Sequence, residues 1–143
     1  MKRMAIAVMS ALLIVSCSTL KTQEKTAPPA QTTIQKIERI MNNIPVYPNL
    51  HYDTQNSFVY ESIAVNAAII VLKGKAKLND VVSFYKENMP KYGWQLLSMF
   101  VHDNHATMVF DSMESSCTID IKQESFNNIV VTIKTGTKAP VAK

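Results

Sequence analysis

The segment "VHDNHA" sets two imidazoles, His102 and His105, on either side of Asp103-Asn104. Asp and Asn both tolerate positive φ, so the pair predicts a two-residue hairpin turn. The histidines then face each other across a strand pair, with side chains on one side and β-carbons about 5 Å apart. Two imidazoles so placed can share a metal ion. A closed zinc site takes four ligands and a catalytic one three, whereas only Asp103 is near and His51 is distant in sequence. The reading is two solvated histidines at a hairpin tip, with His102 and His105 the sole metal candidates and no cofactor expected. Acid–base chemistry finds no better footing. Asp111, Glu114, Asp120 and Glu124 fall on strands or turns as surface groups, Asp120 sharing an outward face with Lys122, and no two carboxylates share a sheltered site. Gly74, Gly93 and Gly136 build no phosphate-cradling loop, and Ser115-Ser116 lacks the strand-to-helix elbow that activates a serine. These residues point away from an enzyme.

The two cysteines differ in kind. Cys17 stands where an apolar run gives way to a polar one, behind Lys2, Arg3 and an uncharged stretch from Met4 through Ser16. A basic end followed by a short apolar segment is the layout of a secretory signal, and the run is shorter than the roughly 20 residues a membrane span needs. An ordinary leader is cut after small residues at its last and third-last positions, and Ile14 fits that requirement poorly. The four residues Ile14-Val15-Ser16-Cys17 instead resemble the lipobox of bacterial lipoproteins, with Ile14 for the usual leucine and Val15 where a smaller residue is commoner. The resemblance implies that the signal peptide 1–16 is removed. It also implies a diacylglyceryl group on the Cys17 thiol and a further fatty chain such as palmitate on its freed amine. Each buried methylene contributes about 0.8 kcal/mol, so two or three chains hold a protein stably on a membrane where one is marginal. Ser18 in place of Asp resembles the outer-membrane sorting pattern of enteric-type Gram-negative bacteria. The implied location is the cell envelope, at the periplasmic side of the outer membrane rather than the inner one. The alternative is a secreted protein with a cysteine there by chance. Cys117 is read differently: in "SSCTIDIK" it alternates with Ile119 and Ile121 on the apolar face, as a core thiol does, and away from the cationic setting that activates one.

Composition narrows the class further. Loss of the leader leaves 127 of 143 residues, enough for one domain and a tether. Of 15 basic residues, Lys2 and Arg3 go with it, so 13 face 11 acidic ones and the net charge falls from +4 to +2. Charges are scattered, without a basic stripe, which argues against nucleic-acid binding.

Residues 17–31 contain Pro28-Pro29 and no hydrophobic period, and read as a flexible tether with a reach of about 45 Å. An α+β domain is expected over 32–136 and a disordered tail over 137–143. A short N-terminal helix carries Ile34, Ile37 and Met41 behind a cap at Thr32 or Thr33, and Pro45 stops it. Two strands follow, "SFVYESI" and "AAIIVLKGK", the second apolar enough for a central strand covered on both faces. Then Leu78, Val81, Val82, Tyr85 and Met89 trace one face of the main helix, with Asn79 or Asp80 at its start and Pro90 and Gly93 at its end. Phe84 lies off that stripe, where it would edge a groove. Four strand-like runs with short links come last, and short links demand antiparallel neighbours. The expected fold is a single small domain: an antiparallel sheet of about five to six strands with one main helix packed on one face.

"IPVYPNLHY", "VVSFYKENMPKYGWQLL" and "SSCTIDI" together resemble a group of small bacterial lipoproteins with an FYK-x-x-MP-x-x-GW-x-L-like segment after a strand. The order of elements is also similar to helix-grip lipoprotein domains of outer-membrane assembly machines. Neither resemblance brings catalytic residues. The expectation is a membrane-anchored envelope lipoprotein that binds another envelope protein or supports an assembly. The alternative is a carrier of a small apolar ligand or lipid between helix and sheet; metal capture at His102 and His105 ranks behind both. A solid core with an exposed apolar patch would favour docking, and a large interior cavity the carrier.

Overall fold

The computed structural model describes residues 30–138. The leader with Ile14, Val15 and Ser16, the lipidation residue Cys17, nearly all of the 17–31 tether and residues 139–143 lie outside the described residues.

Helix α1 (Ala30–Ile40) runs into a 3-10 turn (Met41–Asn43) and stops ahead of Pro45. It starts before Thr32 and Thr33, so neither is its cap; Ala30 and Gln31 are good helix formers and extend it. Its buried row is Ile37, Met41 and Ile44, while Ile34 is 37 % exposed, so the apolar stripe sits one turn later than the spacing suggested. Helix α2 (Leu78–Asn88) buries Leu78, Val81 and Tyr85, and a following 3-10 turn (Met89–Tyr92) buries Met89. Neither Asn79 nor Asp80 is its N-cap. The first N–H, that of Leu78, instead donates to Gln123 Oε1 at 2.9 Å, a group 45 residues away in sequence. Asp80 keeps only the role of a charge in the first turn, where the helix dipole favours it. Gly93 takes φ 85, a conformation that a Cβ disfavours. The turn closes there, with the N–H of Gly93 on Pro90 O at 3.1 Å and that of Trp94 on Met89 O at 3.2 Å.

Seven strands form one antiparallel sheet: β1 (Leu50–Tyr52), β2 (Phe58–Glu61), β3 (Asn66–Lys75), β4 (Gln95–His102), β5 (His105–Asp111), β6 (Ser115–Gln123) and β7 (Asn128–Thr137). The order is β1-β3-β7-β6-β5-β4, and β2 pairs with β3 on the flank that β1 also occupies. With its two helices the molecule is the expected α+β domain, and the short β1 raises the strand count. β7 runs through Thr137 because Ser115 and Ser116 pair with Thr137 and Gly136.

Period-2 alternation puts one row of each long strand inward: Ala68, Ile70 and Leu72; Ala106, Met108 and Phe110; Cys117, Ile119 and Ile121; Ile129, Val131 and Ile133. Both helices lie on that face, α1 near β2 and β3, α2 near β5 and β6, and all join one core cluster. The outer face of β3 is not covered as expected. Ile69 and Lys73 are exposed there, and only Val71 is shielded, by the 53–57 loop: its N–H donates to Ser57 Oγ at 3.0 Å and its carbonyl accepts from Asp53 N–H at 2.8 Å. Gly74 lets β1 approach, since a Cβ there would stand 2.1 Å from the Asn49 carbonyl oxygen.

Candidate functional site

The hairpin of β4 and β5 forms as its turn residues predict, with positive φ at Asp103 (φ 49) and His102 directly opposite His105. Both imidazoles are exposed. His102 Nε2 lies 3.1 Å from Asp103 Oδ2, and its ring stands 6.3 Å from that of Phe100. His51 is on β1, at the far flank of the sheet. Among the described residues no three His, Cys, Asp or Glu side chains gather where they could hold a metal ion.

Three aspartates are tied into surface pairs with lysines. Asp120 pairs with Lys134 on β7 at 2.9 Å rather than with Lys122, and accepts from Thr107 Oγ1 at 2.8 Å. A diagonal cross-strand neighbour meets it more readily than a residue two along its own strand. Partial burial pushes the Asp120 carboxyl up, but Lys134 and Thr107 outweigh it and hold the group below its ordinary value. Asp111 pairs with Lys138 at 2.8 Å. Asp53 sits 2.7 Å from Lys73, whose hydrogen bond lowers it.

Between helices and sheet the buried side chains pack into one core cluster. Phe84 does not edge a groove: it packs edge-on between Tyr47 and Tyr85, with centroids 5.3 Å away on each side. Cys117 is 1 % exposed, and burial pushes its thiol up to about 12, the opposite of activation. The Tyr85 hydroxyl is the one polar side-chain atom among the described residues that is buried with no hydrogen-bond partner. Burial, and then the neighbouring Cys117, push its ionisation well above that of a free phenol, outweighing the Tyr47 backbone, which lowers it. Clefts open at the rims: one of about 610 Å³ is bounded by Lys77, Leu78, Asp103, Asn104 and Phe126, another of about 540 Å³ by Asn49, His51, Gly74 and Lys75.

What the sequence pattern did not show is β4. It looked like the neighbouring strands, yet it pairs with β5 alone and ends the sheet. Val101, Met99 and Leu96 oppose the buried Ala106, Met108 and Phe110 and so belong to the inward face, but neither helix reaches far enough to cover the first two. Val101 is 45 % exposed and Met99 42 %. On the outward face Phe100 is 69 % exposed, and the bulge between Leu96 and Ser98 leaves Leu97 60 % exposed.

The backbone of this edge can be read from the turn. A two-residue turn is closed by a hydrogen-bonded pair, here His102 and His105, and such pairs alternate with non-bonded ones in an antiparallel ladder. Phe100 and Ser98 therefore direct their N–H and C=O groups to β5. Met99 and Val101 direct theirs to the open side. The edge thus presents main-chain donors and acceptors flanked by apolar side chains, and from Gln95 to Val101 it carries no charge, Pro or Gly. The only signal available in sequence was that lack of charge across a whole strand. The opposite flank is different: β1 and β2 have three and four residues, with ion pairs Lys73–Asp53 and Arg39–Glu61 alongside.

A family model described as START domain-like matches residues 57–136, from the start of β2 to the penultimate residue of β7. No curated protein and no solved structure matches the chain.

Proposed function

The chain belongs to the START domain-like family, matched over more than half its length, and from that premise we propose a non-enzymatic binding module that takes up a polypeptide strand along the open edge of β4. One observation carries this reading. An uncharged strand presents the outward N–H and C=O groups of Met99 and Val101 beside four exposed apolar side chains. A strand laid there gains main-chain hydrogen bonds and covers apolar surface in one step, the mode of recognition known as β-augmentation. The core cluster that joins both helices to the sheet supports docking at the surface over capture inside. In the cell we place the module at a membrane, held by lipid on Cys17 at the periplasmic side of a bacterial outer membrane, where it binds an envelope protein or supports an assembly.

The test is a photoreactive amino acid introduced at Met99 in the native host. Irradiation is expected to give covalent adducts from position 99 and none from Lys86, which is exposed on α2 away from the edge. An absence of adducts from position 99 sinks the reading.

A carrier of a small apolar ligand is the second reading, and the Tyr85 hydroxyl favours it, because a buried hydroxyl is normally paired. Tyr85→Phe separates the two. With no partner inside, removal of an unsatisfied buried group is expected to raise stability by about 1 kcal/mol in urea unfolding. A loss of about 1 kcal/mol, with a small molecule released from wild-type protein in native mass spectrometry, would establish the carrier instead.

A further inference from the structure

We infer that the strand taken up by β4 is the β4 of a second copy, so that two domains join their sheets across a twofold axis at Phe100. The inference rests on the edge reading above and names the partner at that same edge. Its first support is what β4 lacks. Proteins keep like edges apart with charged residues, proline, bulges or very short strands. Here the single bulge lies near the start of the strand, and Ser98 through His102 have none of these guards. The β1 and β2 flank has them, being short and lined by ion pairs. Each copy therefore has one edge able to pair. An isologous contact through one edge closes at two copies and cannot run on into a filament.

Register supplies the second support. Only Met99 and Val101 turn backbone groups outward, and antiparallel pairing about Phe100 sets Met99 of each copy opposite Val101 of the other as a hydrogen-bonded pair. Phe100 then meets its own twin as a non-hydrogen-bonded pair, with Cα atoms about 4.5 Å apart. Aromatic pairs across strands are among the more stabilising ones. Ser98 falls opposite His102, and no like charges are brought together. On the inward face, Met99 and Val101 of both copies merge into one apolar strip beyond the helices, which removes the exposure that neither copy can relieve alone.

Cysteine substitution in the full chain reads this register. A disulfide needs Cα atoms within about 4.4–6.8 Å, which Phe100→Cys meets across the axis. Ser98→Cys lies two residues off the axis in each copy, about 13 Å from its twin, and cannot bridge. Under mild oxidation Phe100→Cys is expected to give at least ten-fold more reducible covalent dimer than Ser98→Cys. Cys17 is common to both, and Cys117 is buried in both. Val101→Pro adds an independent reading. Its lost N–H faces outward, so the β4–β5 ladder tolerates the proline while the partner strand does not. Light scattering of the detergent-solubilised chain is expected to show the protein mass halved relative to wild type, with circular dichroism unchanged. A wild-type chain already at monomer mass, or equal bridging at positions 98 and 100, overturns the inference. If photo-adducts at Met99 then contain a different protein, the edge reading survives and only the choice of partner falls. If there are no adducts either, both fall.

Discussion

Trp94→Ala is expected to destabilise the domain by about 4 kcal/mol, a large share of the roughly 5–15 kcal/mol that holds a typical domain folded. The ring is 2 % exposed and sits where three elements meet. Gly93, at φ 85, turns the chain out of the 3-10 turn so that Trp94 leads into β4, and the indole Nε1–H donates to the Asn43 carbonyl at 2.7 Å, at the end of the turn after α1. Truncation removes the ring's burial, leaves a hole that the neighbours fill only in part, and strands the Asn43 carbonyl. Trp94→Phe keeps most of the apolar contact and loses the bond, so a smaller loss of about 1–2 kcal/mol is expected. Urea unfolding followed by circular dichroism measures both, since Trp94 is the only tryptophan and its fluorescence disappears with it. A loss below about 1 kcal/mol for the alanine variant would mean that the ring does not tie α1 to the sheet.

Cys17→Ala is expected to move nearly all of the protein from the detergent phase to the aqueous phase in a phase-partition assay of cells of the native host. A single acyl chain gives marginal, reversible membrane binding, while two or three, at about 0.8 kcal/mol for each buried methylene, make attachment stable. Among the described residues no helix is long and apolar enough to cross a membrane. The alanine variant, exported behind a leader with an ordinary cleavage site in place of residues 1–16, loses both the sulfur that carries the diacylglyceryl group and the cysteine amine that carries a further chain. Intact mass of the wild-type protein checks the same chemistry directly. Continued partition of Cys17→Ala into detergent, or a native mass that still includes residues 1–16, would remove the anchor from the proposed function.

Helix α2 shows how far local pattern reaches. Of the stripe Leu78, Val81, Val82, Tyr85 and Met89, four are buried where helical spacing puts them, and Val82 is half-buried against the core. Cys117, Ile119 and Ile121 alternate, and all three face the core. The Asp103-Asn104 turn sets His102 against His105 with no help from distant residues. Periodicity and turn chemistry need only a few neighbours along the chain, which is why these elements could be read directly. Two failures are of another kind. Asn79 and Asp80 had the right chemistry for a cap, but Gln123 from β6 takes the position. Phe84 lay off the helix stripe, yet Tyr47 from the segment before β1 folds over it.

The candidate site belongs to that second kind. By itself the sequence determined an α+β chain with one main helix, an alternating sheet and a buried thiol at Cys117. It also carried the lipobox-like segment around Cys17. Only the tertiary structure decided that β7 returns to pair with β3, which closes the centre of the sheet and leaves β4 at its margin. A strand's own residues specify which of its faces is apolar, because side chains alternate along it. They do not specify whether both of its backbone edges will be paired, because that depends on which distant segment lies alongside.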